Sequence, residues 1–146
     1  MAGSARACVA LVPVVLVFCG LADGGVALAE TVALKATLNA AAEVPPNDSR
    51  GTGQATFTYD TDTKQLTYTV TYDGLTGPAT AGHIHGPAAA GANAGIVVPF
   101  AVPESPISGT ATLSDDQAAA LLAGRLYVNI HTAANKAGEI RGQIVK

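Results

Sequence analysis

The only three histidines of the chain lie in two segments that alternate like β-strands. His83 and His85 belong to residues 81–87, and His131 ends residues 125–131. Successive side chains of a strand point to opposite faces, so His83 and His85 share a face and His131 lies opposite the apolar face of its own strand. Three imidazoles on one sheet surface predict a metal site suited to copper or zinc.

Copper(II) is the metal expected at this site, because neutral nitrogen ligands suit it and it leads the stability order of the divalent ions. A second interpretation of the three histidines involves no metal. In it, the three histidines form a structural cluster that is hydrogen-bonded to the backbone and to Asn129 or Glu139. The sequence leaves both interpretations open.

Four further residues are predicted to border the histidines. Tyr127 and Asn129 share the face of His131, because they alternate with the apolar residues of the same segment. Glu139 and Arg141 share one face of the last predicted strand, either as an exposed ion pair or as partners for a neighbouring strand. No catalytic residue is predicted.

The N-terminal segment has the composition of a secretory signal peptide. A short start with Arg6 precedes an apolar run over residues 8–21, and Ala27-Leu28-Ala29 is an A-x-A cleavage site. The apolar run is shorter than the roughly 20 residues that cross a membrane. We therefore expect residues 1–29 to be removed, with no membrane span, and residues 30–146 to form one exported domain, periplasmic or extracellular.

Cleavage at this site would leave a chain without cysteine or methionine. Cys8, Cys19 and Met1 all precede residue 30, so the exported domain has no disulfide, thiolate or thioether ligand. Arg6 and Asp23 are removed together, and the net charge stays at −3. A small negative charge without a basic patch argues against nucleic acid as a partner.

Alternation of apolar and polar residues predicts an all-β domain. The clearest case is a hairpin in which residues 55–59 and 66–72 flank a polar turn at residues 60–65. Pro99 favours an edge position for its strand, because proline cannot donate to a neighbour. The other predicted strands are residues 30–41, 80–85, 96–100, 107–113, 125–131 and 139–145.

One short helix is predicted near residues 114–124. Ser114 is its N-cap, Gln117 occupies the capping-box position and Gly124 ends it. About eight short strands with a single helix predict an antiparallel Greek-key β-sandwich, immunoglobulin-like or superoxide-dismutase-like.

Several motifs, in order along the chain, resemble the chordin-type (CHRD) domain. They are Glu43-Val44-Pro45-Pro46, Gly51-x-Gly53, residues 81–87, Leu121-Leu122-Ala123-Gly124, residues 127–132 and residues 138–144. The resemblance extends over residues 34–145. It implies a β-sandwich module that occurs alone in secreted bacterial proteins and is repeated in an animal extracellular growth-factor antagonist. It implies no catalytic residues.

A second resemblance concerns the histidine pattern. It is similar to the copper half of copper/zinc superoxide dismutases, in which His83, His85 and His131 would match the copper ligands and Arg141 the active-site arginine. The chain has no fourth histidine to bridge two metals and no zinc-ligand cluster in residues 86–95. The resemblance therefore implies a copper site without a zinc partner.

Three functions from different classes are consistent with these features. The first is an exported binding module whose histidine face either holds a copper-like ion or is a structural polar cluster, with an unknown protein partner. The second is a copper-dependent redox enzyme resembling superoxide dismutase, in which Arg141 would steer the anion. The third is a structural or adhesion β-sandwich without metal. The missing bridging histidine ranks the binding module first.

Overall fold

The computed structural model describes residues 30–146, in which it contains eight strands, one α-helix and one short 3-10 helix. The predicted signal peptide, residues 1–29, lies outside the described residues. The strands are β1 (Thr31–Asn39), β2 (Thr52–Asp60), β3 (Gln65–Asp73), β4 (Ala79–His85), β5 (Ile96–Pro99), β6 (Ile107–Thr112), β7 (Tyr127–Thr132) and β8 (Ile140–Gln143). The helix α1 is Asp115–Leu122, and the 3-10 helix is Ala40–Ala42.

These eight strands form one antiparallel sheet in the order β5-β4-β7-β8-β1-β2-β3-β6. β1 and β8 meet at a single residue pair, Asn39 with Arg141, and an isolated bridge joins Lys35 to Val145. This narrow seam divides the sheet into a histidine half, β5-β4-β7-β8, and a hairpin half, β1-β2-β3-β6. β5 lies at one edge, as Pro99 predicted.

The two halves of the sheet pack against each other through their apolar faces. Inward-facing residues alternate with exposed threonines along β2 and β3, so each of these strands buries one side. Tyr68 of the hairpin half contacts Phe100, which follows β5, at a ring-centroid distance of 5.0 Å. One continuous apolar core includes residues of both halves. The all-β prediction is confirmed, and the two layers expected of a sandwich are halves of a single sheet.

Local sequence signals account for the hairpin and the helix. β2 and β3 pair along their length, and Asp60 Oδ1 closes the turn by accepting from the backbone N–H groups of Asp62 and Thr63 at 3.0 and 2.8 Å. At the helix, Ser114 Oγ accepts from Gln117 N at 3.2 Å, and the Gln117 side chain accepts from Ser114 N at 2.9 Å. The predicted capping box is confirmed.

The histidine segments are neighbouring strands although they are distant in the chain. β4 pairs with β7 in a register that places His85 opposite Tyr127, His83 opposite Asn129 and Ala81 opposite His131. The histidine faces of both strands are therefore the same side of the sheet. Over residues 30–146, the structure has no helix that is both long and apolar enough to cross a membrane.

Candidate metal centre

The three histidines converge on one side of the histidine half. His83, His85 and His131 each offer one ring nitrogen, and these three atoms lie within 4.8 Å of one another. Ile84 and Ile130, which alternate with them, are fully buried on the core side. Strand parity thus sends the isoleucines into the core and the imidazoles to the opposite face, where they are half-buried.

Backbone carbonyls fix the proton on two of the rings. His85 Nδ1 lies 3.1 Å from the Ala94 carbonyl oxygen, and His131 Nδ1 lies 3.0 Å from the Lys136 carbonyl oxygen. A carbonyl oxygen only accepts, so each Nδ1 carries the proton and donates it. In a neutral ring with its proton on Nδ1, Nε2 presents a lone pair, which is the form in which histidine binds a metal.

The two remaining features of the cluster suit a cation. His83 Nδ1 lies 3.1 Å from His131 Nε2, and one proton lies between them. Two nitrogens bound to one ion at about 2.0–2.1 Å are roughly 3 Å apart, so an ion in place of that proton needs little rearrangement. His85 Nε2 is buried and has no hydrogen-bond partner within the described chain. The three rings fit a metal ion as ligands.

The surroundings of His83 and His85 favour the neutral form of both rings. Burial lowers the pKa of His83 below its ordinary value of 6.5, and the neighbouring His131 and His85 lower that pKa further. Burial also lowers the pKa of His85, although the hydrogen bond to the Ala94 carbonyl raises that pKa in part. Neutral imidazole is the form that can bind a metal, so these two rings could bind one at neutral pH without competition from protons.

Tyr127 and Arg141 form a stack behind His85. The Tyr127 ring lies parallel to the His85 ring, with centroids 5.1 Å apart and an interplanar angle of 8°. On the other face of Tyr127, the Arg141 guanidinium carbon lies 3.4 Å from the ring centroid. Such a cation–π contact is stronger when it is shielded from water. Tyr127 therefore borders the histidines directly, and Arg141 reaches them through Tyr127.

The interpretation of Glu139 and Arg141 as an exposed ion pair is wrong. Glu139 is 0% exposed and Arg141 is 1% exposed, and no ion pair joins them within residues 30–146. Arg141 instead donates from Nη1 to Asn93 Oδ1 at 3.1 Å and from Nη2 to the Ala92 carbonyl at 2.7 Å. Because the guanidinium is buried and already donates to the 86–95 loop, it is poorly placed to steer an anion from solvent.

Glu139 is the centre of a separate hydrogen-bond network. Its carboxylate accepts from Ser49 Oγ at 2.6 Å, from the backbone N–H and hydroxyl of Thr76 at 2.7 Å each, and from Asn135 Nδ2 at 3.1 Å. The Thr132 hydroxyl is a further donor. Burial raises the pKa of Glu139, but the hydrogen bonds from Ser49, Thr132 and Thr76 outweigh it and lower the pKa to about 2.

Asn129 contacts a residue that sequence reasoning missed. Asn129 Nδ2 donates to both carboxylate oxygens of Glu43, at 3.1 and 3.0 Å. Burial raises the pKa of Glu43 to about 7, although the nearby Arg141 and the bond from Asn129 lower it. Neither Asn129 nor Glu139 bonds to a histidine in the described part of the chain, so that element of the structural-cluster interpretation is wrong. The only sequence signal for Glu43 was its place in Glu43-Val44-Pro45-Pro46.

Comparison with protein-family models matches the CHRD domain over residues 34–144. The matched span includes all three histidines and reaches from β1 to the residue after β8. Searches among curated proteins and among solved structures found no match. The family match therefore rests on sequence alone, and the site is described from this chain's own geometry.

Proposed function

The chain belongs to the CHRD domain family, and from this premise we propose that it is an exported binding module that holds one copper(II) ion between His83, His85 and His131. One observation carries the proposal. The half-buried cluster presents two nitrogen lone pairs oriented by backbone carbonyls, and one of them, on His85 Nε2, is buried and has no hydrogen-bond partner among residues 30–146. A buried acceptor with no donor costs free energy unless something binds it, and a cation does so.

The donor set favours copper(II) over other ions. The ligand atoms would be His83 Nδ1, His85 Nε2 and His131 Nε2, all neutral nitrogens without a carboxylate or sulfur among them. Imidazole suits copper and zinc, and the stability order places copper(II) above zinc. His83, His85 and His131 would hold the copper, which would supply binding and polarisation of a further ligand.

The exported location rests on the first 29 residues and on the family. Residues 1–29 have the charge, apolar run and A-x-A ending of a cleavable signal, and the CHRD resemblance is to secreted modules. A domain without cysteine after cleavage holds its metal by nitrogen alone, so thiol oxidation outside the cytoplasm does not affect the site. An unidentified protein partner is compatible with this role.

The redox enzyme is the weaker candidate. It requires Arg141 to face incoming superoxide, whereas the Arg141 side chain is 1% exposed and donates to Ala92 and Asn93. The fourth, bridging histidine of the resembling enzymes is also missing. A superoxide assay on the copper-loaded protein is the test of this alternative, and the binding module predicts no turnover.

Calorimetric titration with copper(II) and zinc(II) tests the proposal. We expect one copper ion per chain at submicromolar affinity, with zinc weaker. His83→Ala and His85→Ala should each weaken copper binding more than tenfold, because each removes one of three ligands. Thr67→Ala is the matched control, since Thr67 is exposed on β3 and should leave the affinity unchanged.

Affinity no better than that of isolated surface histidines would reject the copper site. The three rings would then be a structural cluster, and His85→Ala would lower the free energy of unfolding without any metal. If instead both single-histidine variants keep wild-type affinity, the copper lies elsewhere in the chain and the proposed ligands are wrong.

A further inference from the structure

Two loops supply the carbonyl groups that orient the histidine rings. The 86–95 loop, between β4 and β5, supplies the Ala94 carbonyl to His85. The 132–139 loop, between β7 and β8, supplies the Lys136 carbonyl to His131. Loops of this kind are usually mobile, so a carbonyl that must stay within hydrogen-bond distance of a ligand needs an anchor. Each loop has one, and each anchor is a buried charge.

Arg141 anchors the 86–95 loop. Its Nη2 donates to the Ala92 carbonyl at 2.7 Å and its Nη1 to Asn93 Oδ1 at 3.1 Å. These acceptors immediately precede Ala94, whose carbonyl receives the proton of His85 Nδ1. A buried guanidinium without acceptors costs free energy. The loop supplies the acceptors, so the hydrogen bonds of Arg141 form only when the loop is in place.

Tyr127 and Asn93 reinforce the same loop. The Tyr127 hydroxyl accepts from Ala94 N at 3.1 Å, and its ring lies beneath the Arg141 guanidinium. Asn93 Nδ2 donates to the Val44 carbonyl at 3.0 Å, which ties the loop to the segment after β1. The loop is therefore held at three consecutive residues, Ala92, Asn93 and Ala94, so the Ala94 carbonyl has little freedom to leave His85.

Glu139 anchors the 132–139 loop in the same way. Its carboxylate accepts from Asn135 Nδ2 at 3.1 Å and from the Thr132 hydroxyl, which lie at the middle and the start of the loop. Asn135 N also donates to Thr132 Oγ1 at 3.2 Å. This tight turn presents the Lys136 carbonyl to His131 Nδ1.

We infer that Arg141 and Glu139 are positioning residues, each of which fixes the ring proton of one histidine, Arg141 that of His85 and Glu139 that of His131. Within residues 30–146, neither forms a hydrogen bond with the histidine that it serves. The effect on copper rests on the proposed function, whereas the effect on the ring protons does not. Partners behind a metal ligand commonly change metal affinity 10- to 100-fold, because they hold the ligand in its binding form.

Nitrogen NMR of the histidine rings in the metal-free protein tests this inference. In the wild type, His85 and His131 should each show a protonated Nδ1 and an unprotonated Nε2. Arg141→Met should convert His85 to a mixture of tautomers and leave His131 unchanged. Glu139→Gln should do the reverse, because the amide cannot accept from all the donors that the carboxylate serves.

Three further variants keep the test decisive. Arg141→Lys should restore much of the His85 tautomer, since its ammonium group can still donate to the Ala92 carbonyl. If Arg141→Met or Glu139→Gln fails to fold, Asn93→Ala and Asn135→Ala remove one loop contact each and should shift the same rings less. Both asparagines lie on the loops and are not fully buried.

The pattern across the two rings decides the outcome. The inference would be overturned if the tautomers of both rings changed in every variant. It would also be overturned if neither ring changed its tautomer in any variant. Separate shifts with a 10- to 100-fold loss of copper affinity in each variant would support the positioning roles and the copper site together. Separate shifts in a protein that binds no copper would support the positioning roles and reject the proposed function.

Discussion

Two buried glutamates, Glu43 and Glu139, differ in how many donors surround them. Glu43 is 4% exposed and accepts side-chain hydrogen bonds from Asn129 alone within the described residues. Glu139 is 0% exposed and accepts from four residues. Burial raises the pKa of both, and hydrogen bonds to the ionised form decide the balance. The pKa is therefore about 7 for Glu43 and about 2 for Glu139.

The raised pKa of Glu43 makes the protein less stable as pH rises. Its contribution to stability is complete below the ordinary value of 4.5 and is lost as the pH passes about 7, because ionisation is costly in the folded state. A pKa change from 4.5 to about 7 corresponds to on the order of 3 kcal/mol. Glu43→Gln should lack this loss between pH 5 and pH 8 in urea unfolding. An equal loss in the variant would contradict the assignment.

The lowered pKa of Glu139 acts at the other end of the pH range. Its contribution is complete above 4.5 and is lost as pH falls towards about 2. Glu139→Gln should lower the free energy of unfolding by about 1.5–3 kcal/mol at pH 7, because bonds to a charged acceptor are replaced by weaker ones. The variant should then lose less stability than the wild type between pH 5 and pH 2.5. A variant as stable as the wild type at pH 7 would show that the network is not stabilising.

At the scale of elements, the seam between β1 and β8 is the narrowest joint of the sheet. It consists of one strand pair, Asn39 with Arg141, and one isolated bridge. A Cβ built on Gly142 would lie 2.4 Å from the Thr37 carbonyl oxygen and 2.8 Å from its carbon. These are backbone atoms that cannot rotate away. Only glycine permits the two strands to approach so closely.

Gly142→Ala should therefore separate the strands at the seam. We expect a loss of about 1–3 kcal/mol in the free energy of unfolding, the usual cost of forcing an extra carbon into a packed site. Gly77→Ala is the matched control, because no atom of the described residues lies within 4 Å of a Cβ built at Gly77. Chemical denaturation of both variants measures the difference. Equal stabilities would mean that the seam does not limit the packing.

The sequence predicted the elements that depend on near neighbours. The hairpin around Asp60 and the capping box of Ser114 with Gln117 are local patterns, and both are confirmed. Alternation along each histidine strand also predicted which side chains share a face. It could not predict that β4 pairs with β7, because alternation does not show which strand lies beside another.

The sequence missed the parts of the site that depend on distant segments. Glu43 meets Asn129 across 86 positions of the chain, and no local pattern links them. The carbonyls of Ala94 and Lys136 belong to loops. In a loop, the type of a residue does not predict the direction of its backbone carbonyl. The exposed ion pair of Glu139 and Arg141 was wrong for a related reason: alternation marks a polar face but does not reveal that loops cover it.

At the scale of the whole molecule, the proposed copper ion joins strands that only folding brings together. His83 and His131 are 48 positions apart in the chain, and they meet because β4 and β7 pair. The unfolded chain would have no preformed site, so copper would bind the native state and stabilise it by mass action. The histidine half is therefore the part of the sheet that the metal would reinforce.

Copper(II) should raise the melting temperature of the protein. At a free copper concentration 100 times the Kd, the native state gains about 2.7 kcal/mol, which corresponds to a rise on the order of 10 °C for a domain of this size. Thermal unfolding followed by circular dichroism measures the shift. His131→Ala removes one of the three ligands and should reduce the rise to half or less. A rise of full size in His131→Ala would show that copper stabilises the protein through other residues.

Electron paramagnetic resonance of the protein with one equivalent of copper(II) is the most direct test of the three-histidine site. The spectrum reports which atoms bind the ion, so it separates three converging imidazoles from adventitious binding. The copper site proposed here predicts a single species with three imidazole nitrogens, reduced to two in His85→Ala. A spectrum with one imidazole, or one that is unchanged in His85→Ala, would contradict it.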